Sequence, residues 1–149
     1  MINNIISSLY QNKDPEKAVK MAAYMKDNFP FLGIQKPQRE LLTKEFLKQA
    51  KKEKAIDWDI ANKLWDLPER EFQYLAIDYL IALKNLIDEA DIDRIEKLII
   101  TKSWWDTVDI IASVLVGNVC KKHPEIIQSH ISIWMESSNI WLARTAILF

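Results

Sequence analysis

The chain has 149 residues, of which 49% are hydrophobic, and 20 Lys and Arg stand against 21 Asp and Glu. Such a length and apolar share suffice for one domain with a sizeable core and exclude a disordered segment. A formal net charge of −1 excludes a whole-molecule field that would draw the protein to nucleic acid or to a membrane, so any polyanion site has to be a local patch.

A single cysteine, Cys120, rules out an internal disulfide framework. It sits in an apolar run, where it reads as a small core residue, and a reducing, cytosolic setting fits it. The opening "MINNIISSLYQNKDPEK" has neither the basic head nor the long apolar stretch of an export signal. Nowhere does the chain reach the roughly 18 uninterrupted apolar residues of a membrane span. The expectation is a soluble, cytoplasmic protein with no membrane partner.

Gly33 and Gly117 are the only glycines, too few for an all-β protein full of tight turns or for a phosphate-cradling loop. An all-α fold is expected instead. Apolar residues recur at three-and-four intervals, as in Leu41, Leu42, Phe46, Leu47 and again in Phe72, Leu75, Ala76, Leu80, which puts one stripe on one helix face. Helix-start signals fall at Asp14 with Pro15, Pro37, Asp66 with Pro68, Ser103 with Asp106, and Pro124; proline is tolerated in a first turn, where its missing N–H would have no partner anyway. The spacing predicts helices near 2–11, 15–28, 37–50, 57–66, 68–84, 88–101, 103–121, 124–136 and 139–149.

The pattern also repeats. Trp65, Leu98 and Trp134 align near the ends of three helices, and the same register aligns Phe72, Trp105 and Trp141 near the starts of the next, at spacings of 33 and 36 residues. A helix pair recurring at that length is the mark of an α-solenoid, in which neither helix buries its stripe without the neighbouring pair. Residues 1–149 are accordingly read as a single helical-repeat domain, with residues 105, 109 and 144 on neighbouring rungs of one concave wall.

The stretch "TKSWWDTVDII", residues 101–111, concentrates the chemistry. Ser103 and Asp106 have the spacing of a capping box, Ser103 as N-cap and Asp106 near the positive end of the helix dipole. Trp104, Val108, Ile111 and Leu115 form one stripe assigned to the core. Trp105 and Asp109, four apart, stack on an adjacent face, and packing does not explain them. A carboxylate there needs a partner or a task. One reading pairs Asp109 with Arg144 of the next repeat as a structural ion pair. The other is a concave surface offering an aromatic face and a carboxylate to a cation, and an arginine to a phosphate.

"LWDLPEREFQ" (64–73), "TKSWWDTVD" (101–109), "NIWLARTAILF" (139–149) and "MAAYMKDNFPFLGIQKPQR" (21–39) together resemble the AlkD-type DNA alkylation repair family, DNA glycosylases built from HEAT-like helical repeats. The resemblance runs over essentially the whole chain. It implies excision of positively charged purines, such as 3-alkyladenine and 7-alkylguanine, from duplex DNA, with no metal and no cofactor. Residue by residue it implies that Asp109 is the catalytic aspartate, Trp105 the tryptophan beside it at the lesion, Arg144 a DNA-contacting arginine and Tyr24, in "AAYMK", a DNA-facing tyrosine.

The family's chains continue past the segment that ends here at "RTAILF", so this chain is expected to lack C-terminal helices and to associate with itself through an apolar end. The competing expectation is a non-catalytic helical-repeat module that binds DNA or protein. His123 and His130 have no cluster of acids or cysteines beside them in the sequence, which speaks against a metal site.

Overall fold

A computed structural model describes all of residues 1–149. The chain is all-helical, without strands, and divides into two compact units, Met1–Ala82 and Leu83–Phe149. No helix is long and apolar enough to cross a membrane.

The first unit holds α1 (Ile2–Gln11), α2 (Pro15–Tyr24), α3 (Lys36–Ala50), α4 (Trp58–Asp66) and α5 (Arg70–Ala82). Asp14 caps α2 as expected: its carboxylate accepts the Lys17 N–H at 3.2 Å and Pro15 stands in the first turn. That helix stops four residues earlier than the spacing predicts. Lys26 and Asp27 turn left-handed, with φ of 59° and 57°, and the Asp27 N–H folds back on the Ala22 carbonyl at 2.8 Å. Such a turn satisfies carbonyls that an ending helix would otherwise leave open.

At the centre lies α5, packed against α3 and α4. It starts at Arg70, two residues beyond the expected Pro68. Its first turn, "REFQ", is buried although three of the four residues are polar. The Glu71 carboxylate accepts the backbone N–H groups of Leu32, Gly33 and Ile34 at 2.8, 2.9 and 3.0 Å. Gly33 has a φ of +94°, and a Cβ there would stand 2.0 Å from the Asp14 carbonyl oxygen, so both conformation and space require glycine. Gln73 donates from Nε2 to the carbonyls of Trp65 and Leu67 at 3.1 and 2.8 Å, satisfying groups at the end of α4. The Arg70 guanidinium lies 3.6 Å from the Phe29 ring centroid, a stacking that removes a charged group from water against an aromatic face. The "LWDLPEREFQ" stretch is therefore a clamp: it closes α4 and holds residues 32–34.

Tyr10 ties α1 to the turn before α5, its hydroxyl donating to the Glu69 carboxylate. Burial first, and then the hydrogen bond to Glu69, push the Tyr10 hydroxyl up to about 12. An acid whose folded pKa is raised adds stability that is fully present below its unfolded value near 10 and is lost as pH rises through the folded value. Ultraviolet titration should therefore show one tyrosine ionising near pH 12, and the stability lost between pH 10 and 12 should shrink in Tyr10→Phe.

The second unit opens with two single 3₁₀ turns, Lys84–Leu86 and Glu89–Asp91, followed by α6 (Ile92–Ile100). A capping box holds the second turn: the Asp88 carboxylate accepts the Ala90 N–H at 3.0 Å, and the Asp91 carboxylate accepts the Asp88 N–H at 3.1 Å. Next come α7 (Trp105–Ile110), a π-helical stretch at Ile111–Val116 and α8 (Gly117–Lys122), together forming the helix expected over 103–121. A π-helical turn at Ile127–Ile131, α9 (Ser132–Met135) and α10 (Ile140–Leu148) complete the unit. Val108, Ile111 and Leu115 are fully buried, as the expected stripe requires, whereas Trp104 is only half-buried.

The capping box expected at Ser103 does not form. Lys102 turns left-handed, with φ 52°, and the Ser103 hydroxyl donates backward to the Ile99 carbonyl, so Ser103 closes α6 instead of opening α7. The N-cap position falls to Trp104, which makes no side-chain cap, while Asp106 keeps its place in the acidic first turn. Of the two aligned trios, Trp65, Leu98 and Trp134 are all buried. The other trio splits: Phe72 is buried, Trp141 is half-buried and Trp105 is 39% exposed.

Candidate functional site

Asp109 stands on the last turn of α7, immediately before the backbone widens into the π-helical stretch. Such π turns recur at functional positions because one extra residue per turn re-aims the side chains around it. Arg144 stands on α10, which packs against α6, α7 and the π-helical stretch. Asn139 fixes the start of α10, its side-chain oxygen accepting the N–H groups of Trp141 and Leu142 at 3.0 and 3.4 Å. One turn further on, Arg144 projects onto the aspartate.

The two side chains meet fork to fork. Arg144 Nε donates to Asp109 Oδ1 at 2.6 Å and Arg144 Nη2 donates to Oδ2 at 2.7 Å. Paired N–H donors meeting both carboxylate oxygens make the strongest and most directional form of ion pair. The hydrogen bonds that Arg144 donates to Asp109 push the Arg144 pKa further up, keeping the guanidinium charged. The pair is not sealed: the side chains of Arg144 and Asp109 remain 46% and 36% exposed. Nor is either group saturated. A carboxylate offers about four lone-pair directions and a guanidinium five N–H groups, so with two bonds made, both keep capacity for a further ligand.

Aromatic rings surround the pair. Trp105 sits one helical turn before Asp109 and exposes part of its indole. Trp104 and Trp141 pack on each other with ring centroids 5.7 Å apart and planes tilted by 54°. Trp104 Nε1 is buried without a hydrogen-bond acceptor. Arg144, with Trp141, Ile140, Ile147 and Leu148, helps to line an open, mostly apolar hollow of about 530 Å³. The structure thus brings Asp109, Trp105 and Arg144 into one patch of the second unit.

Residues 5–149 match the family of DNA alkylation repair enzymes. The chain belongs to that family. It is similar to the solved structure of a predicted DNA alkylation repair enzyme from Enterococcus faecalis, at 31% identity and a TM-score of 0.80, with 91% of this chain and 63% of that chain covered. The chain therefore spans less than two thirds of that relative. Among curated proteins there is no match.

Tyr24, the remaining candidate from the sequence, closes α2 in the first unit and is 72% exposed. It shares a hollow of about 300 Å³ with Phe31, Tyr74, Met21 and Lys20. Phe31 and Tyr74 stand 6.3 Å apart by ring centroid, and Arg39 lies over Tyr74 at 5.0 Å while its Nε donates to Asp78 at 3.2 Å. The hollow is thus largely aromatic and apolar, with Lys20 as the one basic residue that lines it. Sequence reasoning missed Tyr74 as a neighbour of Tyr24, because a chain separation of 50 residues leaves no periodic trace.

The two histidines differ from each other. His130 is flanked by Ser129 and Asp93, at 2.7 Å from Nδ1 and 3.1 Å from Nε2. The Asp93 side chain is 78% exposed, and such a solvated carboxylate is a poor device for activating a hydroxyl. His123, contrary to the sequence reading, does have acids beside it, Glu89 and Glu125. Glu125 was near in the chain; Glu89, 34 residues away, was not.

Proposed function

We propose that this chain is a DNA repair glycosylase built from HEAT-like helical pairs, excising positively charged N3- and N7-alkylated purines from duplex DNA. The observation that carries the reading is the Asp109–Arg144 pair, unsaturated and half-exposed beside Trp105, in a chain of the DNA alkylation repair family. Alkylation makes the base a cationic leaving group, so departure needs no general acid. Cleavage builds positive charge on the sugar, and the free lone pairs of Asp109 stabilise that charge and orient the attacking water. Trp105 offers its face to the cationic base, a term of about 1–2 kcal/mol in a desolvated site. Arg144 does two things at once: it fixes the carboxylate in one orientation and presents its remaining N–H groups to a backbone phosphate, which sets register without reading sequence.

The test is release of free 7-methylguanine from methylated duplex DNA. Release supports the reading; a folded chain that binds the DNA without release defeats it. The bidentate geometry of the pair also favours a second reading, a non-catalytic helical module in which Asp109 and Arg144 are structural, and that outcome would select it. Under the glycosylase reading Arg144→Ala should weaken binding to DNA of any sequence by about tenfold. It should also lower the slope of log affinity against log salt by about 1, the value for one lost phosphate contact, as measured by fluorescence anisotropy over a salt series.

A further inference from the structure

In the second unit, two chain segments that contribute nothing to the Asp109–Arg144 pair converge on an imidazole. His123 follows α8, its N–H donating to the Val119 carbonyl at 2.8 Å. Its Nδ1 stands 3.4 Å from Glu125 Oε1 and 3.7 Å from Glu89 Oε2. One donor atom from each of the three residues lies within 4.8 Å of the others. We propose that Glu89, His123 and Glu125 form a binding site for a divalent transition-metal ion, with Zn²⁺ the best fit.

Donor spacing carries the first part of the argument. Bonds of about 2.0–2.2 Å in a tetrahedral zinc site place neighbouring donor atoms about 3.4 Å apart. Both distances from His123 are already near that value, and the Glu89 and Glu125 carboxyl groups, at exposed positions, already lie within hydrogen-bonding reach of each other. Donor chemistry carries the second. An imidazole with two carboxylates suits zinc and its neighbours, whereas magnesium and calcium prefer an all-oxygen shell. Two carboxylates also balance a dication, and three protein ligands leave a fourth position for water.

The segments are held before any ion arrives. Asn118 Nδ2 donates to the Lys84 carbonyl at 2.9 Å, and Lys122 Nζ donates to the Asn85 carbonyl at 3.0 Å, so α8 is fastened to the chain just ahead of Glu89. The Asp88–Asp91 capping box then fixes the turn that carries Glu89. Lys122, the nearest lysine in the chain, is thus engaged with a backbone carbonyl. The only basic group at either glutamate is His123, which is charged only when protonated. A metal ion here staples the 89–91 turn to the turn after α8; it stiffens the second unit and takes no part in base excision.

Titration of the chelator-treated full chain with Zn²⁺, against a chromophoric competitor, tests this. One saturable equivalent is expected, together with a rise in melting temperature and no displacement by a hundredfold excess of Mg²⁺. His123→Ala, and separately Glu89→Gln combined with Glu125→Gln, should each weaken binding at least tenfold and abolish the rise in melting temperature, with helical circular dichroism unchanged. His130→Ala should bind as the parent does. Absence of saturable binding, retention of the equivalent in folded His123→Ala, or its loss in His130→Ala would each overturn the proposal.

Discussion

Under the proposed glycosylase function, Asp109→Asn is expected to slow release of 7-methylguanine by at least about 100-fold under single-turnover conditions, the scale set by losing one preorganised electrostatic group at a developing charge. The substitution keeps the shape of the side chain but removes its charge. It also turns one acceptor into an N–H₂ that faces an Arg144 donor, where the parent has bonds of 2.6 and 2.7 Å. Stability should barely respond. A fully buried pair broken on one side would cost several kcal/mol, but these side chains are 36% and 46% exposed, and pairs in that setting contribute about 1 kcal/mol or less. A melting curve near the parent's, alongside lost excision, assigns the loss to chemistry. Asp109→Glu is the positional control: it retains the charge while displacing it by a methylene, and should recover only a small part of the rate. If the parent releases base and Asp109→Asn releases it as fast, Asp109 is structural and the proposed mechanism fails.

Half-exposure of the pair also explains why the sequence left its role open. The spacing of Trp105, Asp109 and Arg144 was legible, since i,i+4 stacking on α7 and a repeat of 36 residues brought the three together. Their solvation was not, because it depends on how α10 packs against α7. Helix positions were read well wherever an apolar stripe or a side-chain cap marks them, as at Asp14 and Pro15. They were misread where backbone conformation decides, as at Lys26, Asp27 and Lys102, whose left-handed φ values reset a boundary without a glycine. The π-helical turns at 111–116 and 127–131 escape any reading in periods of 3.6, since each shifts the register by about one residue.

The largest stability effect is expected at Glu71, a residue whose surroundings no periodicity could reveal. Its carboxylate is fully buried and takes three backbone N–H groups from residues 32–34. In Glu71→Ala those amides lose their acceptor in a place that water does not reach, and each unsatisfied buried group costs about 1–3 kcal/mol. Partial relaxation of the loop returns some of that, so urea unfolding should show a loss of about 3–5 kcal/mol. Glu71→Gln should fall between the variant and the parent: its oxygen can serve the amides on one side, while its N–H₂ confronts a donor on the other. By contrast Glu40→Gln, which removes only an exposed pair with Lys36 at 4.0 Å, should change stability by less than about 0.5 kcal/mol. The consequence extends beyond stability. Residues 32–34 lead from Phe31 to Gln35, both of which line the hollow that contains Tyr24, and Gly33 in its left-handed conformation admits little play against Asp14. A Glu71 variant that stays folded should therefore lose the wall of that hollow before it loses the helices. Quenching of tyrosine fluorescence by iodide would detect this as increased access to the half-buried Tyr74 at denaturant concentrations where helical circular dichroism is still that of the parent.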